Sequence, residues 1–67
     1  MAQYNLSPRE SRLLKLLVEG HRYKTAAAEM ALSLSTVAFH IQNIYGKLRV
    51  HSKSEAVARA LHGNLFA

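Results

Sequence analysis

An all-α fold, four helices arranged around a helix-turn-helix, is what this sequence predicts. Three observations predict it. Apolar residues recur at helical spacing, most clearly Val37, Ile41, Ile44 and Leu48, which fall at i, i+4, i+7 and i+11 and share one face. Two Ser-x-x-Glu boxes, Ser7 to Glu10 and Ser52 to Glu55, mark helix starts. Between them a short Ala-rich segment, a tight turn and a longer amphipathic helix follow one another, which is helix-turn-helix spacing. There is no strand-like alternation, internal repeat or low-complexity segment.

Met1 to Asn5 carries no pattern and reads as a lead-in. Helix one is expected over residues 8–19. Ser7 is its N-cap, Pro8 takes the first position, where a missing N–H is harmless, and Glu10 can reach back to the Ser7 N–H. Leu13, Leu14 and Leu17 point inward, Leu16 and Val18 flank them, and Gly20 closes the helix. After the connection His21-Arg22-Tyr23, helix two is expected over 24–30, where Ala26, Ala27 and Ala28 favour helix and allow a neighbour to approach closely.

Ala31 and Leu32 form the turn, and Ser33 caps helix three, expected over 34–48. Gly46 in its last turn costs about 1 kcal/mol against Ala and predicts fraying there. Arg49-Val50-His51 connects to helix four, expected over 53–62 with Ala56, Val57, Ala60 and Leu61 apolar and Gly63 as its stop. Leu65 and Phe66 in the tail are expected to fold back onto the bundle.

A chain of 67 residues is one domain with a thin margin of stability. It has no Cys, so neither disulfides nor thiolate-bound zinc supplement the core. Hydrophobic residues at 49% suit a globular domain rather than a disordered tail. No apolar run approaches the roughly 18 residues of a membrane span. The first residues lack a basic stretch followed by an apolar one, so no secretory signal is read and a cytoplasmic protein is expected. Nine Lys and Arg against four Asp and Glu give a net charge of +5, which suits a polyanionic partner.

Catalysis and metal binding find no support. His21, His40, His51 and His62 include no i, i+4 pair, H-E-x-x-H is missing, and Glu10, Glu19, Glu29 and Glu55 are all well separated. Gly20, Gly46 and Gly63 form no phosphate-cradling loop, and a chain this short has little room for a dry pocket. No catalytic residue, metal or cofactor is therefore expected.

Duplex DNA fits better. The face of helix three opposite its apolar stripe is polar and free of acid, with Phe39 among hydrogen-bonding residues. The major groove admits one α-helix, whose exposed side chains read base edges. Ser33, Ser35 and Thr36 offer hydroxyls to phosphate oxygens at the helix N-terminus, where free N–H groups and the dipole favour anions. Gln42 and Asn43 carry the paired donor and acceptor that match adenine, and Ala38 or Phe39 suits a thymine methyl. Lys24 and Lys47 are candidate phosphate clamps. Each residue also has a plainer reading: Ser33 as a cap, Phe39 as core, His40 as a neutral surface hydrogen bonder, Lys47 as a solvated lysine. Their coincidence on one helix after a tight turn carries the weight. A basic membrane-surface helix is the weaker alternative, because helix three has few Lys or Arg on its polar face.

L-S-P-R-E at 6–10, L-L-x-L-L-x-E-G at 13–20, K-x-A-A-A at 24–28, S-x-S-T-V-x-x-H-I-x-N-I-Y-x-K-L at 33–48, V at 50 and S-K-S-E-A-V at 52–57 closely resemble the LuxR-type (GerE/FixJ/NarL) helix-turn-helix domain. The likeness covers Leu6 to Leu61 and is closest to the output domains of NarL/FixJ-type response regulators. It implies a bacterial transcription regulator whose third helix enters the major groove. It further implies a homodimer on paired half-sites joined through helix four, at Ala56, Val57, Ala60 and Leu61. On that pattern Lys24, Thr36, His40, Asn43 and Lys47 contact the DNA backbone, and Ala38, Phe39 and Gln42 read bases. A receiver domain in the full-length protein and RNA polymerase are the further partners it implies, and Met1-Ala2 is expected to open a piece of a longer regulator rather than a single-domain one.

The departures are specific. Ala31 stands where relatives have Gly or a polar residue, Thr25 where Glu is usual, and Ala26 where a large aliphatic is common. Ala38 and Gln42 are uncharged where many relatives are basic. Arg49 stands where Gly or Asn is common, so a left-handed cap there would be strained. The departures at Ala38 and Gln42 support a rival: an interaction module that pairs with a related regulator through helix four, using Val57, Ala60, Leu61 and Phe66, without touching DNA.

Overall fold

The computed structural model describes residues 4–63. Those residues form α1 (Pro8–Val18), α2 (Tyr23–Met30), α3 (Leu34–Leu48) and α4 (Lys53–His62), with no strand among them. The expectation for Leu65 and Phe66 lies outside the described residues.

The helix starts follow local chemistry. Ser7 Oγ accepts from the Glu10 N–H at 3.1 Å and the Glu10 carboxylate accepts from the Ser7 N–H at 2.9 Å, so the first capping box is complete. The second is not. Ser52 Oγ accepts from the Glu55 N–H at 3.1 Å, but the Glu55 carboxylate reaches one residue further, to the His51 N–H at 2.8 Å. α2 begins at Tyr23, one residue earlier than expected, because Arg22 is extended and Thr25 Oγ1 accepts its N–H at 3.0 Å. Thr25 thereby does what the Glu usual at this position would do. Its hydroxyl also donates to the Arg22 carbonyl.

The first three helices end by one device. His21, Leu32 and Val50 donate their N–H groups back five residues, to the carbonyls of Leu16, Ala27 and Tyr45 at 2.9 to 3.0 Å. Each closure needs a left-handed residue just before the donor. Gly20 (φ 99) serves α1 without strain, whereas Ala31 (φ 55) serves α2 and Arg49 (φ 58) serves α3. α3 continues through Gly46 to Leu48 rather than unravelling there, and α1 ends at Val18 with Glu19 as its cap.

All four helices contribute to one core. Leu13, Leu14 and Leu17 of α1 meet Val37, Ile41, Ile44 and Leu48 of α3, joined by Ala26 and Ala27, Val50, and Ala56 and Ala60. Leu16, expected at the flank, is also buried. α1 packs against each of the other three helices, while α2 and α4 do not meet. Among the described residues every buried side-chain polar atom has a partner. No described helix is long and apolar enough to cross a membrane.

Candidate nucleic-acid interface

The apolar stripe of α3 is fully committed: Val37, Ile41, Ile44 and Leu48 are at most 2% exposed. That fixes the helix's rotation and turns the opposite face outward. Ala38, Phe39, Gln42 and Asn43 are all exposed, Phe39 to 63%. The alternative placement of Phe39 in the core is thereby excluded. Its ring leans edge-on against the His40 ring at 5.7 Å between centroids, which stiffens a large apolar group that has no core to fill. His40 and Thr36 sit at the margin of this face, half-buried.

At the N-terminal end of α3 three hydroxyls are linked. Ser33 Oγ lies 3.1 Å from Ser35 Oγ and 2.8 Å from Thr36 Oγ1, and it accepts the Thr36 N–H at 3.2 Å. The plain reading of Ser33 as a cap is therefore correct, and the same cap holds Ser35 and Thr36 beside the exposed turn. No acid lies in the first turn, so the dipole end is unopposed. Leu34, 53% exposed beside them, was not singled out from the sequence. Spacing alone would place Leu34 on the inward stripe, since 34, 37, 41, 44 and 48 keep the helical alternation of three and four. It is exposed as the first residue of α3, beyond the core.

A hydroxyl pair sets how α2 sits on α3: the Tyr23 and Tyr45 phenols hydrogen-bond to one another between the two helices. Burial, and then the bond to Tyr23, hold the Tyr45 phenol well above its ordinary value, so Tyr45 keeps its proton at any working pH.

The cations are distributed unexpectedly. Lys24 is exposed at the start of α2, as the phosphate-clamp reading requires. Lys47, the lone cation of α3, is already engaged: its ammonium donates to the Glu10 carboxylate at 2.7 Å and to the Asn5 carbonyl at 3.3 Å. Burial alone would push the Glu10 carboxyl up. The Lys47 ammonium and the Ser7 bonds outweigh it and leave the group below its usual value. Lys47 therefore ties α3 to the start of α1, a partner that spacing alone could not reveal.

On α4 the apolar residues divide. Ala56 and Ala60 are buried in the bundle's own core, so they are unavailable to a second copy, contrary to expectation. Both belong to the common core, where α4 packs on α1 and α3. Val57, half-buried, and Leu61, 63% exposed, are the two that face out.

A short helix, a strained tight turn and a longer helix with an uncovered, acid-free outer face, all braced on a crossing helix, define a helix-turn-helix domain. Residues 4–60 match the family described as bacterial regulatory proteins, luxR family. The chain is similar to the transcriptional activator protein CarR of Pectobacterium carotovorum subsp. carotovorum, 43% identical over 91% of this chain and 25% of that protein. It is also similar to the probable HTH-type transcriptional regulator GfsR of Streptomyces halstedii, 41% identical over 84% of this chain and 23% of that protein. A probable transcriptional regulatory protein NarL of Mycobacterium tuberculosis is 38% identical over 91% of this chain and 28% of its own length. The chain thus spans about a quarter of the length of these three relatives. It belongs to the luxR family of bacterial regulatory proteins.

Proposed function

We propose that this domain binds double-stranded DNA sequence-specifically and regulates transcription, as the output domain of a two-component response regulator acting in the cytoplasm. One observation carries the reading: Ala38, Phe39 and Gln42 stand exposed on the acid-free face of a helix whose opposite stripe is wholly buried. These three read base edges in the major groove. Lys24, Ser33, Ser35, Thr36, His40 and Asn43 surround them as backbone contacts, and Lys47 joins these to the extent that a phosphate competes with Glu10. Two copies bind paired half-sites through the outward side of α4, at Val57 and Leu61. In the full-length protein a receiver domain controls that pairing, and RNA polymerase is the downstream partner. The regulator names of the relatives support this reading.

The test is binding to fragments of the source genome against salt concentration. Several phosphate contacts give a steep log–log decline in affinity, and a flat response counts against DNA binding. Gln42→Glu places a carboxylate against base edges and phosphates and should abolish a real gel shift.

The exposed Leu61 favours one second reading, a module that pairs with a related regulator through α4 and leaves DNA alone. Absence of any shift, even at high protein concentration, is the result that would favour it.

A further inference from the structure

We propose that Arg49 is a phosphate contact to the DNA backbone at the C-terminal end of α3, a role that rests on the DNA-binding reading and extends its site. With Lys47 held by Glu10 at 2.7 Å, α3 itself has no unengaged cation for the groove wall. Of the nearby cations, Lys53 donates to the His21 carbonyl and Arg59 to the Leu48 carbonyl, at 2.8 and 2.7 Å. The Arg49 guanidinium is exposed, and among the described residues it has no hydrogen-bond or ion-pair partner.

Its position is what a backbone contact requires. Arg49 lies seven residues after Gln42, and the two line one open cleft with Tyr45, Gly46 and His51. That cleft contains no acid. Its floor is bare at Gly46, where an added Cβ would meet nothing within 4 Å, so the protein's own packing does not demand the glycine. At about 1.5 Å per residue α3 is about 22 Å long, against a major groove about 12 Å wide. With residues 38 to 42 at the bases, a group about 10 Å further along the axis stands at the phosphate wall. The planar guanidinium fork suits phosphate oxygens in pairs.

The backbone sharpens the point. Arg49 holds φ 58, ψ 49, a conformation in which any Cβ is strained and glycine is at ease. Strain alone does not single it out, since Ala31 tolerates the same conformation. The combination does: an unpartnered guanidinium stands where glycine would relieve the backbone. A cation here also complements the dipole at the end of α3, but Lys47 and Arg59 already stand at that end.

The two roles predict opposite results for Arg49→Gly. We expect this variant to melt at or above the parent temperature, yet to bind a short random-sequence DNA duplex roughly three- to tenfold more weakly in about 0.1 M salt. Its log–log salt slope should be shallower by about 0.9, the signature of one lost phosphate contact. Arg49→Lys should recover most of the slope, because the charge returns. Arg49→Gly with the parent's affinity and slope overturns the inference while the DNA reading stands. A parent domain that does not bind duplex at all overturns both.

Discussion

Glu10 concentrates more constraint than any other side chain, being a carboxylate only 5% exposed that caps α1 and holds Lys47 of α3. Its folded-state value lies below 4.5, so the stabilisation it supplies is complete above 4.5 and is lost as pH falls through that lowered value. Glu10→Gln keeps the shape but removes the charge. It should cost about 1.5–3 kcal/mol at neutral pH, the scale of a hydrogen bond to a charged group. Denaturant melts of parent and variant should converge as the solution is acidified below 4.5, and a gap that persists in acid would mean the pair is not the source. The capping half of this role was legible, because Ser7 and Glu10 are three residues apart. The Lys47 half was not, since it depends on where α3 crosses α1, 37 residues away. Phe39 is the converse case: its outward direction followed from the phase of the Val37 stripe. At 63% exposure, Phe39→Ala should change stability by less than about 0.5 kcal/mol. It should nevertheless weaken DNA binding measured by fluorescence anisotropy, and an equal loss in both would place the ring in the fold rather than the interface.

The helices themselves show where local chemistry decides and where it is overruled. α4 matches its expected span of 53–62, because Ser52 caps it from a polar stretch and Gly63 follows. α2 gains Tyr23 through a bond from Thr25 that no Glu-based capping pattern anticipates. Gly46 was read as a weak point of α3, yet the helix runs past it, since Ile44 and Leu48 are both fully buried on either side. The intrinsic penalty remains recoverable. An added Cβ at Gly46 meets nothing, so Gly46→Ala should stabilise the domain by about 0.5–1 kcal/mol, read by calorimetry. A destabilised variant would show that α3 is not regular at this point. Ala31→Gly tests the strained turn, where two effects oppose. Relief of the left-handed Cβ is worth about 1 kcal/mol, and the freer unfolded chain takes back about 0.4–1 kcal/mol. A net change between zero and a slight gain is expected, and a loss beyond about 1 kcal/mol would mean the methyl packs in a way its exposure does not suggest.

At the scale of the whole molecule, α1 is the brace between the two working surfaces. It packs on α2, α3 and α4, while α2 and α4 never meet. α4 also touches α3, but Val57 and Leu61 share their surface with α4 residues alone, so two copies are expected to pair there without covering Ala38, Phe39 or Gln42. The sequence could not divide the four apolar residues of α4, because residues 56, 57, 60 and 61 form one continuous stripe. Only the burial of Ala56 and Ala60 in the common core shows that half of it is internal. What remains, Val57 and Leu61, is far less than the roughly 1,000 Å² that a stable interface needs. The isolated domain should accordingly sediment as a monomer at micromolar concentration. Two copies on adjacent half-sites raise their effective concentration to the millimolar range, where a weak contact suffices. Binding to a duplex with paired sites, once such a sequence has been selected, should be cooperative. Leu61→Asp should remove that cooperativity while leaving affinity for a single site within about twofold, because residue 61 lies outside the DNA face. Unchanged cooperativity in Leu61→Asp would move the pairing surface elsewhere on the domain, and equal loss at single and paired sites would mean that α4 shapes the DNA face rather than the partner's.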